Sequence, residues 1–289
     1  MSSKNTSFHK RKMHCGSLVL DFSSPLVMGI LNLTPDSFFK GSRFQNEKDT
    51  IDAVEKMLKD GADVIDVGAV STRPGADNVD IEEEKKRIIR ALQSLVKAFP
   101  ETIFSIDTYR AEIARACIGA GAHIINDISG GQFDDKMFAT VADLRVPYIL
   151  MHLKGRPKEM QANPVSHAVS GEIRNYFREK IKQLKEVGVK DIILDPGFGF
   201  GKTLECNYSL LKHFEALRID GLPLLAGLSR KSMINKVLGT EAVDALNGTT
   251  VLHTIALLNG ANILRVHDVK EAVEAVRMAG YYQGFEECD

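Results

Sequence analysis

Cysteine is scarce in this chain: four in 289 residues, at positions 15, 117, 206 and 288, with no CxxC or Cys/His ligand spacing. Neither a zinc site nor a disulfide framework fits that pattern, and reduced cytoplasmic thiols are the expected state. Long hydrophobic runs are also missing, since no apolar stretch reaches the roughly 18 residues of a membrane span. The opening MSSKNTSFHKRKMHCG lacks the apolar core of a signal peptide. A net charge of -1 provides no field for gathering nucleic acid or an anionic membrane, so neither is expected as a partner. What is present is an ordinary globular composition, 44% hydrophobic and 26% charged. The length suits a single (β/α) barrel, which commonly takes about 250 residues. We expect a loosely ordered basic tail over 1–13 and one domain over 14–289.

The most informative stretch is DIILDPGFGFGK at 191–202. Ile192, Ile193 and Leu194 read as a parallel strand buried on both faces, and Asp195 sets a carboxylate at its carboxyl end. Such a charge is costly unless it meets a partner. Pro196 and Gly197 stop the strand, and Gly199 and Gly201 allow close backbone approach around Phe198 and Phe200. That arrangement suits a flat, polar-edged ligand.

The same grammar recurs along the chain. A short alternating piece at 18–21 reads as a hairpin strand plugging one end of a barrel. The first buried strand, LVMGILNL at 26–33, carries Asn32 near its end and is followed by the loop TPDSFFKGSRF. A helix with Ile51, Val54 and Leu58 leads to strand two at 63–67 and the loop GAVSTRPGA. A second helix carries Ile88, Leu92, Leu95 and Phe99. Strands three (TIFSID), four (HIIND) and five (VPYILMH) end at Asp107, at Asn126 and Asp127, and at Met151 and His152. A helix over 166–187 precedes the sixth strand, and Leu210, Leu211, Phe214 and Leu217 mark the helix after it. Strand seven, LPLLAGLS at 222–229, runs into SRKS; strand eight, NILRVH, ends in Arg265 and His267.

Eight apolar strands ending in polar residues and alternating with helices predict an α/β fold, a (β/α)8 TIM barrel with a short N-terminal hairpin at its bottom. A Rossmann sheet is the runner-up. It is disfavoured because no GxGxxG follows the first strand and the polar ends are spread over all eight units. In a barrel those ends converge on one mouth.

At that mouth Asp107, Asn126 and Asp195 form an acceptor-rich edge suited to a heterocycle presenting adjacent N–H groups. Arg73, Lys231, Arg265 and His267 form a cationic set, and the ends of strands seven and eight are where barrels often hold phosphate. An anionic substrate is therefore expected. Asp268 reads as a cap for the last helix, and His152 as a core histidine. Asn32 and the TPDS loop supply oxygen ligands for Mg²⁺, which is usually recruited through one or two protein oxygens plus substrate phosphate.

The motifs GILNLTPDSF, STRPGA, SIDT, INDI, MHLKGRPKEMQ, DPGFGFGK, GLSRKS and RVHDV occur in order over about 18–279. In this the chain strongly resembles the dihydropteroate synthase family. The resemblance implies a homodimeric transferase of folate synthesis, the sulfonamide target, which joins 6-hydroxymethyl-7,8-dihydropterin diphosphate to 4-aminobenzoate. It implies a pterin pocket of Asp107, Asn126, Asp195 and Lys231 with Met151 against the ring. It further implies an anion pocket of Asn32 with Mg²⁺, Thr72, Arg73, Arg265 and His267, and an aminobenzoate border of Thr72, Pro74, Phe198 and Ser232.

Two positions depart from the family pattern. Lys40 stands where an acidic residue is usual in the first loop, and Val70 stands where the second loop usually has Glu. Both are expected to alter loop closure more than chemistry. Two rival readings remain. A pterin-dependent methyltransferase shares the carboxylates but gives no reason for the cationic set, and a pterin-binding protein without turnover accommodates Lys40 and Val70.

Overall fold

The computed structural model describes residues 12–33, 47–69, 81–155 and 164–284. A small antiparallel hairpin, β1 (Lys12–Cys15) and β2 (Leu18–Asp21), comes first. The parallel strands are β3 (Leu26–Asn32), β4 (Val64–Gly68), β5 (Ile103–Asp107), β6 (Ile124–Asp127), β7 (Tyr148–Met151), β8 (Ile192–Asp195), β9 (Leu225–Ala226) and β10 (Ile263–Val266). Between and after them lie α1 (Glu47–Lys59), α2 (Ile81–Ala98), α3 (Ala111–Gly119), α4 (Met137–Leu144), α5 (Val169–Glu186), α6 (Leu204–Lys212), α7 (Ser232–Leu238), α8 (Leu246–Leu258) and α9 (Val269–Gln283). The sheet order is β8-β7-β6-β5-β4-β3-β10-β9. A bridge between Leu194 and Leu224 brings the two ends together, making a nearly closed eight-stranded (β/α)8 barrel.

The two-residue period of a strand sorts each segment into an outer and an inner set. Outward residues such as Ile65, Val67, Phe104, Ile106, Leu150, Leu194 and Leu264 pack with the helices into the main core. Inward residues Met28, Val64, Ile103, Ile124, Ile149, Ile193, Leu225 and Ile263 form an apolar layer inside the barrel. Met13, Cys15, Leu20 and Phe22 of the hairpin join that layer and close the bottom. Two residues further along these strands, on the same inward face, come Asp66, Ser105, Asn126, Met151, Asp195 and Arg265. Strand register aligns them: Asp66 opposite Ser105, Asp107 opposite Asn126, and Met151 opposite Asp195. The sealed apolar floor therefore carries a polar layer directly above it.

Several expectations need correction. Lys12 and Met13 belong to β1, and Met13 is buried, because the hairpin plug needs its side chain; the expected tail ran through Met13. Strand seven is far shorter than 222–229. The Pro223 carbonyl accepts from Leu194 N–H, and Leu224 N–H is taken by the Asn262 side chain at 3.0 Å, outside a regular ladder. Phe214 and Leu217 lie on a separate 3₁₀ turn after α6, not on the helix itself.

Candidate active site

Arg265 on β10 is the hub of the mouth. Its Nε donates to Asp66 Oδ2 at 2.6 Å and its Nη2 to Asp107 Oδ2 at 2.7 Å, tying together three strands. Asn126 Nδ2 donates to the same Asp66 oxygen at 3.0 Å. That bond fixes the amide orientation, so the Asn126 carbonyl oxygen is the end left to act as an acceptor. Asp66 is fully buried, and its role was missed in the sequence because a single Asp inside VIDVG reads as part of an apolar strand. The signal was there: it is a charge at a position where both faces of the strand are buried.

One guanidinium between two carboxylates leaves a net negative group. Burial raises the pKa of Asp107, and Asp66 and Asp127 add to the rise against the pull of Arg265. Burial opposes the charge on Arg265, yet Asp66 and Asp107 hold its pKa above the ordinary arginine value. Burial is thus the main cause of the Asp107 rise, whereas the two neighbouring carboxylates are the cause of the Arg265 rise. Asp66 Oδ1 and Asp107 Oδ1 are buried acceptors with no hydrogen-bond partner among the described residues. Buried acceptors are normally satisfied, so these two oxygens carry hydrogen-bonding capacity that the described residues leave unused.

Asp195 ends β8, is 6% exposed, and accepts Gly197 N–H at 2.7 Å through Oδ1. Burial raises its pKa, with Lys231 as the main opposing charge. A Cβ placed on Gly227 would meet Lys231 Nζ at 3.7 Å and Asp195 Oδ2 at 4.0 Å, so the pair flanks this glycine. Burial lowers the Lys231 pKa to about 8 against the pull of Asp195. Lys231 Nζ also donates to the Phe198 carbonyl and lies 4.6 Å from the centre of the Phe200 ring. Ile128, Met151 and Leu153 form an apolar wall, with Tyr109, Phe133 and Phe200 packed against it. Carboxylates below and a wall of apolar and aromatic side chains beside them make a slot for a flat, polar-edged bicycle.

His267 stands next to this group. Ser229 Oγ accepts His267 N–H at 3.1 Å and lies 3.0 Å from its Nδ1. With the Ser229 hydroxyl hydrogen given to Nδ1, the ring proton falls on Nε2 as a donor. Asp268 does not cap α9 as expected, because its carboxylate takes the Arg230 guanidinium through two bonds of 2.9 Å. Arg230 also donates to the Ala242 and Val243 carbonyls at 2.8 Å, bracing the backbone between Lys231 and α8. On the other side, a Cβ on Gly68 would lie 3.8 Å from both Asn32 Oδ1 and Asp107 Oδ2. Gly68 thus keeps a cradle open between these two oxygens.

Asn32, Asp107, Asn126, Met151, Asp195, Lys231, Arg265 and His267 all belong to this mouth, and Ser232 is exposed at the first turn of α7. Phe198 is corrected: its ring is fully buried and stacked on Phe214 at 5.8 Å, so only its carbonyl serves the site. The loop's other ring, Phe200, packs against the Ile128, Met151 and Leu153 wall beside Lys231. His152 is a core residue, as expected: burial and Lys202 lower its pKa to about 2, and its ring meets Tyr176 edge-on at 4.9 Å. Lys40, Val70, Thr72, Arg73 and Pro74 lie outside the described residues.

A barrel with this slot and adjoining cations defines a pterin-binding barrel enzyme. Residues 28–267 match the pterin binding enzyme family. The chain is 43% identical over 269 residues to dihydropteroate synthase of Escherichia coli strain K12, covering 92% of this chain and 95% of that one. It is 42% identical to the Synechocystis dihydropteroate synthase, covering 88% of each. The fold overlays a Yersinia pestis dihydropteroate synthase in complex with a sulfonamide drug (TM-score 0.91, 39% identity, 95% of this chain and 100% of that one). It also overlays the Xanthomonas albilineans enzyme in complex with 7,8-dihydropteroate (TM-score 0.84, 34% identity, 96% and 100%). The chain belongs to the dihydropteroate synthase family, whose members are transferases.

Proposed function

We propose that this enzyme condenses 6-hydroxymethyl-7,8-dihydropterin diphosphate with 4-aminobenzoate, giving 7,8-dihydropteroate and diphosphate. The unmatched buried acceptors of Asp66 and Asp107, beside the Asn126 carbonyl oxygen and Asp195, are the observation that carries the reading. A pterin offers the N–H groups such an edge lacks. Met151 and Phe200 would flank the ring. Arg265 and His267, with Arg73 of the second loop, would bind the diphosphate and stabilise the charge it gains as the pterin C–O bond breaks. The neutral amine of 4-aminobenzoate attacks the resulting methylene, forms the C–N bond and loses a proton. Lys231 orients the electrophile with Asp195, while Thr72, Pro74 and Ser232 border the second substrate.

The open cradle beside Gly68 fits a Mg²⁺ held by the Asn32 amide oxygen, with diphosphate supplying further oxygens. When bound, that ion offsets the leaving-group charge. Among the described residues no group of three His, Cys, Asp or Glu side chains could hold a metal ion. The test is diphosphate release measured with and without Mg²⁺ and 4-aminobenzoate. Release that requires both supports the reading, whereas tight pterin binding without release assigns a binding protein instead.

A homodimer and cytoplasmic placement belong to the same reading. Val251, Ile255 and Leu258 line one exposed side of α8, near the exposed Val237, Leu238 and Val243. Such a face is the expected seat of a second copy. Introducing V251E and I255E together is expected to halve the solution mass by light scattering; an unchanged mass would refute this interface. Among the described residues no helix is long and apolar enough to cross a membrane.

A further inference from the structure

Lys202 closes the glycine loop after β8, yet it is only 4% exposed and points inward. Its Nζ donates to the carbonyls of Gly197 at 2.8 Å, Phe200 at 2.9 Å and His152 at 3.3 Å. An ammonium has three N–H donors, and here three carbonyls receive them. The loop is shaped for this arrangement. Gly197, Gly199 and Gly201 all have positive φ, at 66°, 80° and 61°, so the loop winds through three left-handed residues, and the Gly197 carbonyl is one of the three that receive the cation. A Cβ on Gly197 would come within 2.2 Å of the same His152 carbonyl, so no other residue fits there.

The loop held in this way carries three contacts to the pterin end of the mouth. Gly197 N–H meets Asp195, the Phe198 carbonyl accepts Lys231, and the Phe200 ring lies beside the Lys231 ammonium. Resting on the functional reading above, we propose that Lys202 is a positioning residue whose buried ammonium sets the loop that aligns Asp195 and Lys231 for pterin binding. It touches no substrate itself. Its own charge is strained: burial lowers its pKa to about 7, Asp195 and Glu172 favour the proton, and Lys231 opposes it.

The experiment compares K202Q and K202R with the wild-type enzyme, measuring KM for the pterin diphosphate and for 4-aminobenzoate separately. Gln offers two donors and no charge, and Arg keeps the charge. K202Q is expected to raise the pterin KM at least tenfold and to leave the 4-aminobenzoate KM within about twofold, roughly 1.4 kcal/mol per tenfold. K202R is expected to stay within fivefold of the wild-type pterin KM. An unchanged pterin KM in K202Q, an equal rise in both KM values, or a rise above fivefold in K202R overturns the proposal. If K202Q does not fold, K202R alone decides by the same fivefold limit. Wild-type turnover in the same assay tests the enzyme reading separately.

Discussion

Arg265→Ala is expected to produce a protein that is both less stable and nearly inactive. The guanidinium is the shared partner of Asp66 and Asp107, two carboxylates buried in the barrel. Removing one partner from a buried ion pair typically costs about 3–5 kcal/mol, because the remaining charge is left uncompensated. The sign of the pH dependence follows from Asp107. Its folded pKa is raised to about 7, above the usual value of 3.8, so the folded state holds its proton more tightly than the unfolded one. Such a group contributes stability at low pH that is lost as pH rises from about 4 through 7. Without Arg265 the folded pKa rises further, so the deficit in Tm against wild type should widen between pH 5 and pH 8. Thermal melts at the two pH values check this, and a constant deficit would refute it. If Arg265 binds the diphosphate as proposed, turnover should fall about 100- to 1,000-fold, an effect of roughly 3–4 kcal/mol.

Asp195→Asn should keep the fold and lose the pterin. The substitution preserves shape and leaves an oxygen for Gly197 N–H, now bonded at 2.7 Å. It replaces the other acceptor by an NH₂ donor, which would face both Lys231 and the ligand's N–H groups. Donor against donor in a buried site costs about 3–4 kcal/mol, or a 100- to 1,000-fold loss in pterin affinity. Calorimetric titration with the pterin diphosphate measures it. Burial raises the Asp195 pKa in the wild type, so neutralising it relieves part of that cost, but the buried Lys231 ammonium loses its main opposing charge, so Tm should fall while the protein stays folded. Unchanged affinity would contradict the assignment.

Much of this architecture was legible in the residue order because a parallel strand covered on both faces must be apolar throughout. Segments such as IFSID and IILD announce themselves, and their final Asp residues stand out against that background. Strand β9 was less legible, since Pro223 and a side-chain bond from Asn262 replace the ladder in a segment that is uniformly apolar. Helix α8 was not anticipated, being apolar on most of its surface, so it carries little period to read. Asp66 escaped notice because it is buried mid-strand, and Phe198 misled because flanking glycines do not tell which way a ring will turn.

Residue order by itself determined the alternation of strand and helix, the polar groups at the strand ends and the chemical character of the ligand they suit. Those properties follow from local period and residue type, which survive without knowledge of neighbours. Which charge meets which was decided only by barrel closure. Arg265 is 199 residues from Asp66 and 158 from Asp107, and only the circular arrangement of strands brings them within 2.6 and 2.7 Å. The same closure leaves one oxygen of each carboxylate without a partner among the described residues, and that leftover capacity for hydrogen bonding is a property of the assembled mouth.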